Sequence, residues 1–193
     1  MKESSSYQRI SEALAEAPII AAVRDREGLE AAVAAPVTVV FILAADLGNL
    51  AERVAFCRAG GKLPLVHLDM VAGLSKDQAA LAYLSDVVKP AGVITTKPAL
   101  IKPAREAGLA AVERIFLLDS LSVQTGTRLA LAHHPDFVEV MPGTMPEVID
   151  SMRRQIALPL IAGGMITTKE QVIKLFGAGV TAVSTSRPEL WSA

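Results

Sequence analysis

Cysteine and aromatic residues are scarce in this chain. One cysteine, Cys57, occurs among 193 residues, so neither a disulfide framework nor a cysteine-based zinc site can form. Cys57 falls in a helix-like run and reads as a core thiol. Aromatics are 4% of the residues while hydrophobic residues make up 51%. The core is therefore Ala, Val, Ile and Leu, the composition of buried parallel strands under helices. A net charge of −1 excludes a uniformly basic surface, so nucleic-acid binding would need a local patch. No apolar run reaches the ~18 residues of a membrane span. The opening "MKESSS" lacks the apolar stretch of a secretory signal. These absences point to a soluble, cytoplasmic protein with a disordered tail over residues 1–6.

What is present is a repeated alternation. Short apolar runs recur about every 20 to 28 residues: "PIIAAVRD" (18–25), "VTVVFILAAD" (37–46), "LPLVHLDM" (63–70), "AGVITTK" (91–97), "LAAVERIF" (109–116), "DFVEVMPG" (136–143), "LPLIAGGM" (158–165) and "TAVSTS" (181–186). Each is too short for a helix, and most are rich in Val and Ile. Amphipathic segments lie between them. Ser75…Gln78, Thr144…Glu147 and Thr167…Glu170 fit the S/T-x-x-E/Q capping box, and Ser120 fits a cap for the segment after it. Glycine or proline follows the segments at 59–64, 88–92, 106–109 and 176–180. His133-His134 closes another, where imidazole complements the helix dipole.

Eight such units over 7–193 predict a single compact (β/α)8 barrel. That fold typically has ~250 residues, with ~200 near its lower limit. The chain stops at "RPELWSA", soon after the eighth strand, so the last helix is shortened or missing. The uncovered flank calls for a homodimer partner touching Leu190 and Trp191, or for Trp191 folding back on its own barrel.

Barrel chemistry sits at the C-terminal ends of the strands. The polar residues expected there include Arg24, His67, Asp69, Lys97, Glu113, Arg114 and Glu139. Charges in buried strands cost several kcal/mol unless paired or facing a site. Arg24, Lys97 and Arg114 supply positive charge, and Asp69 and Glu139 supply acceptors, which suits a small anion carrying hydroxyls. Glu139 paired with Arg114 is equally consistent with a structural bridge, Asp69 with a loop cap, and His67 with a hydrogen-bonded core histidine.

"IAGG" ends the seventh run and "VSTS" ends the eighth. Barrels that bind phosphate often use these two loops and a helix start. Glycine lets backbone N–H groups approach phosphate oxygens, and the helix start adds partial positive charge. Gly163, Gly164, Thr185 and Ser186 are the favoured phosphate ligands, with a plain tight turn as the alternative. No metal ligand set, cofactor motif or catalytic constellation is assigned.

The motifs "PIIAAVRD", "VHLDMVAGL", "KPAGVITTK", "RIFLLDS", "PDFVEVMPG", "PLIAGGMI" and "AGVTAVSTSRPELW" run in order from Pro18 to Trp191. In sequence and spacing they resemble the GlpP-type, glycerol-3-phosphate-responsive antiterminators of glycerol-uptake operons. The resemblance implies a non-enzymatic barrel that takes glycerol 3-phosphate as effector. It also implies action on an mRNA leader, so that transcription passes a terminator. Carried onto this chain, Gly163, Gly164, Thr185 and Ser186 hold the phosphate, and Arg24, Asp69, Lys97, Arg114 and Glu139 surround the glycerol. Where that pattern leads us to expect Gln before the fifth-strand Arg, this chain has Glu113, whose charge would oppose an anionic ligand unless it pairs with Arg114.

The RNA side has little support in composition. There is no RNP-like motif and no Arg-rich run, so Arg153, Arg154, Lys102, Arg105 and Arg128 are the surface candidates. The alternative function is an isomerase- or aldolase-like enzyme acting on a small phosphorylated substrate. It would use Lys97 with Asp69 or Glu139.

Overall fold

Each of the eight apolar runs forms a strand. In the computed structural model, which describes residues 5–192, these are β1 (Ile19–Val23), β2 (Val39–Ile42), β3 (Leu63–His67), β4 (Gly92–Thr95), β5 (Ala110–Phe116), β6 (Phe137–Met141), β7 (Leu160–Gly163) and β8 (Ala182–Thr185). All pair in parallel, and the sheet closes on itself as β8 pairs with β1. The helices are α1 (Ser5–Glu16), α2 (Arg26–Ala34), α3 (Leu50–Ala59), α4 (Gln78–Tyr83), α5 (Ile101–Glu106), α6 (Ser120–His133), α7 (Pro146–Arg153) and α8 (Lys169–Gly177). Here α1 precedes β1, and α2 to α8 follow β1 to β7 in turn.

Strand alternation divides the apolar side chains into two cores. Ile20, Phe41, Leu65, Ile94, Val112, Phe137 and Ile161 point into the barrel, whereas Val40, Val66, Val93, Ala111 and Val138 face the helices. Ile10, Ala13 and Leu14 of α1 join the inner group, and the Tyr7 ring lies 5.4 Å from that of Phe137. Helix α1 thus stoppers the end of the barrel where the strands begin. Fully burying a side chain such as Phe41 or Leu14 contributes about 1.5–3 kcal/mol. Ser5 and Ser6 belong to the first turn of α1, contrary to the expected tail through residue 6, and the Ser6 hydroxyl donates to the Gly108 carbonyl. Residues 1–4 lie outside the described residues.

Among the described residues no α-helix follows β8. The strand leads into a single 3-10 turn, Pro188–Leu190. Trp191 folds back, 4% exposed, and its indole Nε1 donates to the Thr185 carbonyl at 2.9 Å. Leu190 is equally buried, so neither residue is presented as a contact for a second copy. Cys57 is fully buried, and burial pushes its thiol up to about 11, which fits a core residue.

Helix starts are displaced from the expected caps. Helix α8 is capped by Thr168 with Gln171, one residue beyond the Thr167…Glu170 pairing. Asp119, with Ser122, caps α6 in place of Ser120. Asp77 caps α4, and Ser75 bonds to that aspartate instead of capping the helix itself. Helix α7 starts at Pro146 without a side-chain cap. The run expected as one strand to Asp46 breaks at Ile42. Beyond the break, Ala45–Asp46 pairs with Val71–Ala72 as a small separate sheet.

Candidate functional site

At the C-terminal end of the barrel the inner side chains change from apolar to polar. Arg114 and Glu139 stand opposite each other in the β5–β6 register, and both face inward. Arg114 Nε donates to Glu139 Oε2 at 2.7 Å, while Ser184 Oγ donates to Glu139 Oε1, also at 2.7 Å. The three are 8%, 1% and 3% exposed. A buried carboxylate is tolerated here because a cation and a hydroxyl answer its two oxygens. Gly163 lies beside this group, and any Cβ there would overlap Ser184 Oγ and Glu139 Oε1. Its glycine therefore serves close packing. The tight turn comes one residue later, at Gly164 (φ 76°) and Met165 (φ 62°). A left-handed methionine costs about 1–2 kcal/mol.

The neighbouring loop fixes which way this turn faces. The Gly143 N–H donates to the carbonyls of Gly163 (2.6 Å) and Gly164 (3.1 Å). In a trans peptide the N–H opposes its carbonyl. Tying both carbonyls to Gly143 therefore turns the N–H groups of Gly164 and Met165 the other way. Among the described residues, the amides of Gly164, Met165 and Ser186 have no acceptor. All three residues line a 290 Å³ cavity at the barrel mouth, together with Arg24, Arg114, Glu139, Ser184 and Thr185. Arg24 is exposed and has no ion-pair partner among the described residues.

Most of the residues singled out in the sequence meet at this cavity, but several roles change. The Thr185 hydroxyl donates to the Ile166 carbonyl at 3.0 Å and accepts from the Arg187 amide, so it joins the two loops. The first turn of α8 stands outside the cavity. The amides of Thr167 and Thr168 bond to Gln171 Oε1, which removes them as anion donors. Asp69 and Lys97 do not line the cavity. Asp69 accepts from Thr95 Oγ1 (3.0 Å), Thr96 N (2.6 Å) and Thr96 Oγ1 (3.0 Å), binding the end of β3 to the end of β4. The Lys97 side chain is exposed beyond β4. Glu113 alternates with Arg114 and so faces the helices. Burial raises its carboxyl above the usual range against a partial offset from His133, and its charge does not enter the mouth. Larger clefts of 610 and 550 Å³ lie between α7 and α8 and between α6 and α7, away from the barrel's inner polar residues. Among the described residues, no three His, Cys, Asp or Glu side chains are placed to hold a metal ion.

His67, expected as a hydrogen-bonded core histidine, is buried but not hydrogen-bonded. It ends β3, alternates with the inward Leu63 and Leu65, and is 5% exposed. Neither ring nitrogen has a hydrogen-bond partner. Burial, then Arg114 and Arg24, push its imidazole down to about 4, with only Asp69 opposing.

A family model described as "Glycerol-3-phosphate responsive antiterminator" matches residues 19–191. The glycerol uptake operon antiterminator regulatory protein of Listeria monocytogenes is 34% identical. It superposes with a TM-score of 0.87 over 90% of this chain and 94% of its own. A glycerol uptake operon antiterminator-related protein from Thermotoga maritima is 32% identical, with a TM-score of 0.81 over 91% and 98%. Escherichia coli YgcP, an uncharacterized protein, is 31% identical over 175 residues, 91% of this chain and 92% of that one. An aldolase at 12% identity and TM-score 0.71 shares the fold alone. With the family match running from β1 to Trp191, the chain belongs to the glycerol-3-phosphate responsive antiterminator family.

Proposed function

We propose that this protein senses glycerol 3-phosphate at the barrel mouth and, in the cytoplasm, acts on the mRNA leader of glycerol-uptake genes as an antiterminator. The observation that carries the reading is the set of acceptor-free amides of Gly164, Met165 and Ser186, beside Arg24, on one 290 Å³ cavity. Backbone amides and an arginine together suit a phosphate dianion. The Arg114–Glu139–Ser184 group beneath them carries compensating charges and offers hydrogen-bonding atoms to a polyol. Asp69 and Lys97, expected around the glycerol, are left out of the contact set. The enzyme alternative needs Lys97 next to Asp69 or Glu139. Both carboxylates are already engaged, and the lysine lies off the cavity, so a non-catalytic role is favoured.

The RNA surface is less concentrated than the ligand site. Lys102 pairs with Glu106, Arg105 with Asp136, and both Arg153 and Arg154 with Asp150. Among these candidates, Arg128 has no ion-pair partner among the described residues. A homodimer joining two modest patches would enlarge the footprint. Binding to a leader RNA, with and without glycerol 3-phosphate over a salt series, tests the whole reading. A ligand-dependent change in affinity is expected, and equal affinity in both conditions would refute regulation by this ligand.

A further inference from the structure

We infer that His67 reads the hydroxyl end of the bound ligand and gives the site its selectivity for a polyol phosphate over phosphate itself. This inference rests on the function proposed above. In the closed strand order, β3 lies four strands from β7 in either direction, so His67 stands across the barrel mouth from the Gly164 turn. A ligand anchored by its phosphate on the β7 and β8 loops extends toward the β3 side. The β2–β3 register pairs Ile42 with Val66, and its continuation sets Leu43 beside His67. Leu43 lines the cavity, as do Arg24 and Arg114, the cations whose fields reach the imidazole. His67 is not itself among the lining residues but sits next to Leu43 on the inward face of β3.

The chemistry of the ring supports the assignment. Its nitrogens are buried and unpartnered, a costly arrangement that a ligand would relieve. The Asp69 Oδ2 lies 3.6 Å from Nε2, beyond hydrogen-bonding reach, and three other donors already engage that carboxylate. Burial first, and then the nearby cations, hold the ring neutral, and neutral imidazole has one donor and one acceptor. A hydroxyl group, itself donor and acceptor, is its complement. A carboxylate or a second phosphate would leave the acceptor nitrogen facing negative charge.

Calorimetric titration of the full chain with glycerol 3-phosphate and, separately, with inorganic phosphate tests this. Wild type is expected to prefer glycerol 3-phosphate. His67→Leu should weaken glycerol 3-phosphate at least tenfold while changing phosphate affinity less than twofold. His67→Gln, which keeps a donor and an acceptor, should recover most of the loss. Wild-type affinity for glycerol 3-phosphate in His67→Leu overturns the role of His67 and leaves the phosphate site standing. Equal loss of both ligands also overturns it, since that marks a structural effect. A wild-type chain that binds neither ligand removes the proposed function and this inference together.

Discussion

Arg114 and Glu139 face each other across neighbouring strands, and the 2.7 Å bond between them is largely buried at the base of the mouth. Breaking a buried pair leaves an uncompensated charge, which costs about 3–5 kcal/mol. Glu139→Ala and Arg114→Ala should each destabilise by that amount in urea unfolding. The double variant should cost clearly less than the two singles added, because it buries no lone charge. Additive losses would show that the two residues are not coupled.

Gly164 tests the anion site. Ligand at a hundredfold excess over its Kd stabilises a folded protein by about 2.7 kcal/mol. Glycerol 3-phosphate should raise the Tm of wild type, and Gly164→Asp should abolish the shift by placing a carboxylate beside the open amides. Gly164→Ala separates binding from strain. At φ 76° it should lower stability by about 1–2 kcal/mol and still show a ligand shift. An undiminished shift in Gly164→Asp would move the phosphate elsewhere.

His67 makes stability depend on pH in a defined direction. In the folded protein the ring stays neutral down to about 4, whereas unfolded histidine takes up its proton near 6.5. Between those values the unfolded state binds more protons, so stability falls as pH is lowered through the window, by at most about 1.4 kcal/mol per pH unit. Glu113, whose folded carboxyl is raised, acts with the opposite sign, losing its contribution as pH rises above its ordinary range. Comparing wild type with His67→Gln at pH 7, 6 and 5 cancels the Glu113 contribution. The gap between the two proteins should shift in favour of the variant at low pH, and a constant gap would contradict the buried, neutral ring.

Trp191 packs back on the barrel just beyond β8. Trp191→Ala should cost about 3–5 kcal/mol, as for a large buried side chain. It is the single tryptophan of the chain, and its indole is bonded to Thr185, a residue of the cavity wall. Emission should therefore be blue-shifted in the folded protein and respond to glycerol 3-phosphate. A solvent-like emission maximum would place the indole outside.

The barrel was legible because its signal is repeated. Eight Val- and Ile-rich runs at regular spacing leave few other arrangements, and each became a strand. Caps were off by one or two residues because Asp, Ser and Thr cluster around several of these helix starts, and local pattern does not choose among them. At the mouth, strand position alone picked out Arg24, Arg114 and Glu139 together with the "IAGG" and "VSTS" loops, all of which reach the cavity. It did not single out Met165, whose open amide follows from an unusual backbone angle that its side chain gives no reason to expect. It misjudged Glu113, although alternation with Arg114 was sufficient to put the two on opposite faces. Asp69 was misplaced because its acceptors are taken up by a threonine pair distant in sequence, Thr95 and Thr96.

With Ile10 and Leu14 corking one end, the barrel is a blind well with a single doorway. Whatever occupies it must leave by the route it came. Met165, 74% exposed on the cavity wall, and Phe116, 47% exposed and paired in register with Met141 of that wall, therefore stand where residence time is set. A partner docking over them would trap the occupant as well as recognise it.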